Sequence, residues 1–202
     1  MNSNQSTRRQ MLGLGVASVG ALALTHAAKA QDATSANKMM APSPSEAELL
    51  GAALLVEQVS AAYYAQVLGA QNARSYLAPN VVTAVTQMAQ TKSAHVTAIG
   101  GALGNAMGGS PTFKFPQPAF VSAIGMPWLG FTLEEIAIGA HLSALDMITT
   151  RSLRPVVAGI IGANSAHAAL LRNLCGTQFS PRYFEAKLTP AQVEMYISAY
   201  RA

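Results

Sequence analysis

Two short stretches of this sequence decide its fold: residues 55–59, Leu-Val-Glu-Gln-Val, and residues 132–136, Thr-Leu-Glu-Glu-Ile. Each places a glutamate, Glu57 or Glu134, within an apolar pattern of helical period. Seven residues after these glutamates come Tyr64 and His141. Because seven residues is nearly two helical turns, each glutamate shares a helix face with the ring side chain that follows it. The chain therefore contains an internal repeat with one glutamate-bearing helix in each half.

A second repeat is the tripeptide Ser-Ala-His, which ends at His95 in the first half and at His167 in the second. His95 follows Glu57 by 38 residues and His167 follows Glu134 by 33, a difference that a loop can absorb. Of the four histidines in the chain, the three beyond the N-terminal stretch all lie at repeat positions. The order Glu, His, Glu, His indicates that the four helices bring these side chains to one place.

The helical pattern extends over most of the chain outward from these repeats. Ser45 and Glu48 have the spacing of a capping box, Pro155 fits a first helical position and Gly176 fits a stop. Between the second and third helices lies a connection rich in Gly, Pro and Phe, long enough to cross a bundle. Strand-like alternation is absent, so the sequence predicts an all-α four-helix bundle with a long crossover and a short C-terminal helix. The predicted helices cover about residues 46–68, 80–103 and 155–174, with a short one after Thr189. The third helix runs through Leu133 to residue 148, and Pro127 leaves its start open.

The first thirty residues have the parts of an export signal. Arg8 and Arg9 precede an uncharged stretch, and residues 28–30, Ala-Lys-Ala, form a cleavage site. The paired arginines resemble a twin-arginine motif. The sequence thus predicts a signal peptide over 1–30, a linker over 31–44 and one domain over 45–202, exported to the periplasm or secreted.

Charge and hydropathy exclude two classes of partner. Without the signal, the chain keeps 10 of its 13 basic residues against 9 acidic ones, so the predicted mature surface is nearly neutral. Such a surface gives no reason to expect nucleic acid as a partner. No second stretch is apolar enough for a membrane span, since polar residues interrupt the nearest candidate, 155–175.

Taken together, the repeats and the crossover resemble the ferritin-like family found in exported bacterial proteins and in plant desiccation-related proteins. The resemblance covers about residues 45–176. In the full pattern of that fold, two helices each give a glutamate and two give Glu-x-x-His, and these side chains hold a pair of metal ions. The resemblance implies a metal set of Glu57, His95, Glu134 and His167, with Tyr64 and His141 nearby.

The sequence departs from that pattern at the two remaining carboxylates. The position three before His95 is Lys92, and the position three before His167 is Asn164. Two divalent ions bring four positive charges, whereas Glu57 and Glu134 supply only two negative ones, so a di-iron site is not expected. The site is therefore predicted to hold either no metal or one divalent ion, iron or similar. Alternatively, the Lys92 ammonium takes the place of metal and pairs with both glutamates.

Three functions remain open. The first is an exported ferritin-like protein that is non-catalytic or binds metal weakly, with a role in stress or as a binding partner. The second is a metal-dependent oxidase or iron-handling enzyme with one ion. The third is an interaction module of the cell envelope, with Phe113, Phe115, Phe120 and Trp128 exposed on the crossover side. Tyr63, Tyr64 and Trp128 are otherwise interpreted as core aromatics, and a homo-oligomer or an envelope protein remains a possible partner.

Overall fold

A computed structural model describes residues 42–70, 73–104, 109, 111–176 and 186–202. The predicted signal peptide and residues 31–41 of the predicted linker lie outside these residues. The regular secondary structure of the described residues is helical, apart from one isolated antiparallel bridge between Phe113 and Arg201. The all-α prediction is therefore confirmed. The helices are α1 (Pro44–Gly69), α2 (Ala73–Tyr76), α3 (Pro79–Leu103), α4 (Gly125–Met147), α5 (Arg154–Leu174) and α6 (Pro190–Ser198).

Helix α1 begins with a capping box, but two residues earlier than the sequence suggested. Ser43 is the N-cap, Pro44 lies in the first turn, and Glu46 closes the box by accepting from the Ser43 backbone N–H. The predicted pair Ser45 and Glu48 was therefore wrong, and the last residue of the predicted linker is helical. Proline suits the first turn because its missing N–H would have no partner there.

Four long helices, α1, α3, α4 and α5, form the bundle. Helix α1 packs along both α3 and α4, and α4 packs along α5. Only sparse contacts join α3 to α5, so this is the most loosely packed side of the bundle. Buried apolar side chains fill the space on both sides of the central polar residues, with Leu133 and Tyr63 in one cluster and Ile99 and Ile148 in the other.

The connection between α3 and α4 crosses the bundle as predicted, with a 3-10 turn at Gln117–Phe120. Helix α4, whose start the sequence left open, begins at Gly125, and Pro127 lies in its first turn. The first turn tolerates proline because no hydrogen bond from its nitrogen is needed.

The aromatic residues divide between core and surface. Tyr63 and Tyr64 are fully buried, as predicted. Phe115 and Phe120 are also buried and pack against the Tyr63 ring, so they do not form the exposed patch that the third hypothesis required. Trp128 is 54% exposed, and its interpretation as a core aromatic was wrong. It lies on the first turn of α4, on the side away from the core.

The short C-terminal helix returns the chain to the bundle. The helix predicted after Thr189 is confirmed with its cap: the Thr189 hydroxyl accepts from the Gln192 backbone N–H, and the Gln192 side-chain oxygen accepts from the Thr189 backbone N–H. Val193 and Ile197 bury the inner face of α6 in the core. None of the described helices is both long and apolar enough to span a bilayer.

Candidate functional site

The central polar cluster consists of two residues from each of the helices α3 and α5 and one glutamate from each of the helices α1 and α4. Helix α1 supplies Glu57 and α4 supplies Glu134, while α3 gives Lys92 with His95 and α5 gives Asn164 with His167. The spacing of three residues puts both members of each pair on one helix face. The side chains of Glu57, Lys92, Glu134 and Asn164 have no solvent exposure. The structure thus brings all six predicted positions together.

Lys92 occupies the middle of this cluster. Its Nζ lies 2.7 Å from Glu134 Oε2 and 3.2 Å from Glu57 Oε2. The same nitrogen donates to Asn164 Oδ1 at 2.8 Å. One ammonium therefore contacts a side chain from each of the other three bundle helices.

Asn164 links the ammonium to the first carboxylate. Its Oδ1 accepts from Lys92, and its Nδ2 donates to Glu57 Oε1 at 2.8 Å. Both ends of the amide are satisfied, which is what a fully buried asparagine requires. An aspartate or glutamate here would add a third negative charge beside Glu57 and Glu134.

Each histidine lies beside the glutamate of its own half. His95 Nδ1 donates to Glu57 Oε2 at 3.0 Å, and His167 Nδ1 lies 3.4 Å from Glu134 Oε1. The internal repeat indicated that these four side chains meet, but it did not specify which histidine pairs with which glutamate. The side chain of His167 is 13% exposed and that of His95 is 6% exposed, so both imidazoles lie at the outer edge of the cluster.

The ring residues that follow the two glutamates cross over between the halves. Tyr64 follows Glu57 on α1, yet its hydroxyl donates to Glu134 Oε1 at 2.8 Å. His141 follows Glu134 on α4, yet its Nδ1 lies 3.8 Å from Glu57 Oε1. This exchange arises because α1 and α4 run in opposite directions. His141 Nδ1 donates to the Ala137 carbonyl at 2.7 Å.

Burial and charge oppose each other at every ionisable group of the cluster. Burial favours neutral carboxyls, but Lys92 and His95 outweigh it and hold the pKa of Glu57 well below its usual range. Likewise, burial is overcome at Glu134 by Lys92 and His167, so its pKa is lowered. Burial alone would lower the pKa of Lys92, but Glu134 and Glu57 raise it. The cluster therefore contains two carboxylates and an ammonium, all charged.

The two ring residues stay neutral. Burial and the neighbouring Glu134 charge raise the pKa of Tyr64 well above its usual value. Burial lowers the pKa of His141, so its Nδ1 carries the proton that the Ala137 carbonyl accepts. Its Nε2 and the Ser60 hydroxyl, also buried, have no hydrogen-bond partner in the described part of the chain. Ser60 was not identified from the sequence. The available signal was its spacing, since it follows Glu57 by about one helical turn.

A third buried carboxylate, Glu46, lies at one end of the bundle and was not predicted to be buried. Its Oε1 accepts from the backbone N–H groups of Thr149 and Thr150 at 2.6 and 2.8 Å and from the Thr149 hydroxyl, and its Oε2 accepts from the Thr150 hydroxyl. These bonds and the Ser43 N–H, opposed by burial, hold the pKa of Glu46 far below its usual value. The local signal was present, since Ser43, Pro44 and Glu46 have the spacing of an N-cap, a first turn and a capping acid.

The central residues do not fit a pair of metal ions. Lys92 and Asn164 stand at the positions predicted for the two bridging carboxylates. The Lys92 nitrogen lies between Glu57 and Glu134, and positive charge there repels a cation. Asn164 offers only one neutral oxygen, and that oxygen accepts from Lys92. Across the described ranges, no group of three or more His, Cys, Asp or Glu side chains is arranged to hold a metal ion.

Comparison with known proteins agrees with the architecture. The profile of the ferritin-like domain matches residues 45–177, more than half of the chain, and spans the four bundle helices and the crossover. No curated protein matches the sequence. The match over the whole bundle, together with the paired Glu and His positions at its centre, shows that this chain belongs to the ferritin-like domain family.

Proposed function

We propose that this chain is an exported ferritin-like protein that works without metal, as a non-catalytic structural or binding protein of the cell envelope. The observation that carries the proposal is the position of Lys92. Its Nζ lies within 3.2 Å of both Glu57 and Glu134, where a ferritin-like bundle would hold its metal pair. An ammonium fixed there supplies the positive charge that the two carboxylates need.

The hydrogen bonds of the cluster support this reading. Each glutamate accepts from neutral or cationic donors, and Asn164 is satisfied at both ends. Apart from His141 Nε2 and the Ser60 hydroxyl, the polar groups of this cluster contact one another, and such a cluster can hold its helices together without an ion. It also leaves no open coordination position for dioxygen or a substrate, which redox chemistry at a metal would require.

A single divalent ion is the less favoured alternative. To reach Glu57 and Glu134, the ion would have to displace the Lys92 ammonium, which is fully buried and contacts three polar side chains. The displaced ammonium would then need another partner in a low-dielectric interior. An oxidase or iron-handling role would depend on that rearrangement.

A role as an interaction module has one observation in its favour. Val121, Ile124 and Trp128 are 59%, 65% and 54% exposed and follow one another around the start of α4. Exposed apolar residues that cluster in this way are typical of contact surfaces. This surface suits a binding protein of the envelope and is compatible with a centre that holds no metal.

Export through the twin-arginine route is part of the proposal and rests on Arg8 and Arg9. Replacing both arginines by lysine should leave the precursor in the cytoplasm of the native host, as measured by cell fractionation. Export of that variant at the level of the parent would contradict the route.

Metal analysis tests the central claim. Parent protein exported by its own host should carry no stoichiometric metal, and its helical circular dichroism and cooperative melt should survive chelation. The double variant Lys92→Glu/Asn164→Glu restores Glu-x-x-His in both halves and should bind about two ferrous ions per chain. Binding should relieve the repulsion among four carboxylates and raise the melting temperature.

The matched control makes the same charge change on the surface, at the exposed positions Lys114→Glu and Asn173→Glu. This control should bind no more iron than the parent. Stoichiometric iron in the exported parent, or equal iron uptake by the two double variants, would overturn the proposal.

A further inference from the structure

The centre of the bundle places an amine, a carboxamide and a carboxyl group in contact and away from water. Lys92 Nζ lies 2.8 Å from Asn164 Oδ1, and Asn164 Nδ2 donates to Glu57 Oε1 at 2.8 Å. Glu57 Oε2 in turn lies 3.2 Å from Lys92 Nζ. All three side chains have no solvent exposure. The nucleophile, the carbonyl and an acid-base group are therefore held together, which is the arrangement that acyl transfer requires.

We propose that Lys92 and Asn164 become joined by an isopeptide bond between helices α3 and α5, with Glu57 as the acid-base residue. The inference rests on the proposed function, because a centre that held metal ions in place of Lys92 would have no such pair. It adds a covalent modification site to the metal-free centre.

The reaction balances without any further reactant. The Lys92 ammonium first gives one proton to Glu134, 2.7 Å away, and the neutral amine attacks the side-chain carbonyl carbon of Asn164. Glu57 takes a second proton from the attacking nitrogen and gives it to the departing nitrogen, to which it is already hydrogen-bonded. The new C–N bond replaces the old one, and ammonia leaves. One proton stays on Glu134, so the net charge of the cluster is the same before and after.

Proximity is what makes an otherwise slow reaction accessible. The two carboxylates keep Lys92 mostly protonated, so the reactive amine is the minor form at any moment. Well-oriented intramolecular groups nevertheless react at effective molarities of roughly 10⁵–10⁸ M. The bond has to form only once in the life of each chain, and ammonia that diffuses away makes it irreversible.

The bond would join the two neighbouring bundle helices that pack least closely. Helices α3 and α5 pack only sparsely against each other, whereas the other neighbouring pairs of bundle helices are in close contact. A covalent link from residue 92 to residue 164 would close this side and would lower the entropy of the unfolded chain. Such a link suits an exported protein that has no second cysteine for an internal disulfide.

Mass spectrometry of the exported protein tests the proposal. Under denaturing conditions the intact mature chain should weigh less than its sequence by one molecule of ammonia. Trypsin should fail to cleave after Lys92, and the digest should contain a branched species in which peptide 75–114 is joined to peptide 152–172. The peptide evidence does not depend on where the signal is removed.

Two variants identify the chemistry. Glu57→Gln keeps the amine and the carboxamide but removes the acid-base group, so most of its chains should keep the unmodified mass. Asn173→Ala changes an exposed asparagine at the end of the same helix and should be cross-linked like the parent. A Glu57→Gln chain cross-linked as completely as the parent would remove Glu57 from the mechanism.

The parent alone decides the main point, whether or not the variants fold. An unmodified mass with normal cleavage after Lys92 would overturn the proposal. Loss of one water molecule would overturn it as well, since the lysine would then be joined to Glu57 or Glu134. If the cross-link is absent but the proposed function is right, the protein has an unmodified mass and no metal. If the proposed function is wrong, the protein contains metal. The two outcomes are therefore distinguishable.

Discussion

The described part of the bundle contains two clusters of buried carboxylates, and their negative charges are stabilised in different ways. At the end of the bundle, Glu46 is surrounded by neutral donors, the N–H and hydroxyl groups of Thr149 and Thr150 and the Ser43 N–H. In the middle, Glu57 and Glu134 share the cation Lys92. One carboxylate can be stabilised by oriented dipoles, but two at close range also repel each other and require positive charge.

The largest effect is expected when the shared cation is removed. Lys92→Met keeps a long side chain but leaves two buried carboxylates without compensation, and should cost about 3–5 kcal/mol of unfolding free energy relative to parent chains in which Lys92 is not cross-linked. Denaturant unfolding by circular dichroism measures this loss. The control Lys187→Met breaks an ion pair with Asp146 in which both side chains are more than half exposed, and should cost less than about 1 kcal/mol. Similar losses in the two variants would mean that the central carboxylates are not charged.

Neutralising the glutamates should reverse part of that damage. In the Lys92→Met background, Glu57→Gln together with Glu134→Gln removes the repulsion and keeps similar shapes, so it should recover about half of the lost stability, on the order of 2 kcal/mol. The same denaturation experiment measures the recovery. A triple variant less stable than Lys92→Met would show that the carboxylates contribute through shape or hydrogen bonds and not through charge.

The end cluster should respond less strongly and in a pH-dependent way. Glu46→Gln loses charge-assisted hydrogen bonds and should cost roughly 1.5–3 kcal/mol at neutral pH. Because the folded pKa of Glu46 lies below its ordinary value of 4.5, its stabilisation is present above that pH and disappears as the pH falls. The stability difference between parent and variant should therefore shrink below pH 4.5. A difference that stays constant into acid would contradict the role of the Glu46 charge.

The smallest effect is expected from a single neutral donor in the middle cluster. Tyr64→Phe removes the hydroxyl that donates to Glu134 but leaves the ion pair with Lys92, and should cost about 1 kcal/mol. Tyr63→Phe is the matched control, since its hydroxyl donates to the backbone carbonyl of Met126 and not to an ion. If Tyr64→Phe cost as much as Lys92→Met, the hydroxyl and not the ammonium would be the main partner of Glu134.

The middle cluster could be predicted from the sequence because helical spacing and an internal repeat both report on it. Positions three or seven residues apart share a helix face, and the repeat supplied the partners across the bundle. The pairing of Lys92 with both glutamates was one of the alternatives that the charge balance left open. The sequence did not reveal that Tyr64 serves Glu134, since that contact depends on the relative direction of two helices distant in the chain.

The end cluster, the capping box of α1 and the exposure of Trp128 were not predicted correctly from the sequence. Glu46 contacts a turn more than a hundred residues away, and no periodicity reports such a contact. Two serines and two glutamates gave competing capping boxes, and only the position of Pro44 in the first turn distinguishes them. Trp128 was interpreted as a core residue because large apolar side chains are usually buried. An exposed apolar side chain at the start of a helix is nevertheless allowed.

Because Tyr64 of the first half contacts Glu134 of the second, the two halves of the bundle are not independent folding units. Each half is a helical hairpin, yet Glu134 is completed by Tyr64 and Lys92 from the other hairpin. Cut at the crossover, the C-terminal fragment would expose a glutamate that keeps only His167 among its partners in the cluster. This fragment should therefore be poorly structured alone and should gain structure when the N-terminal fragment is added, so the two halves of the repeat act as complementary parts of one cooperative unit.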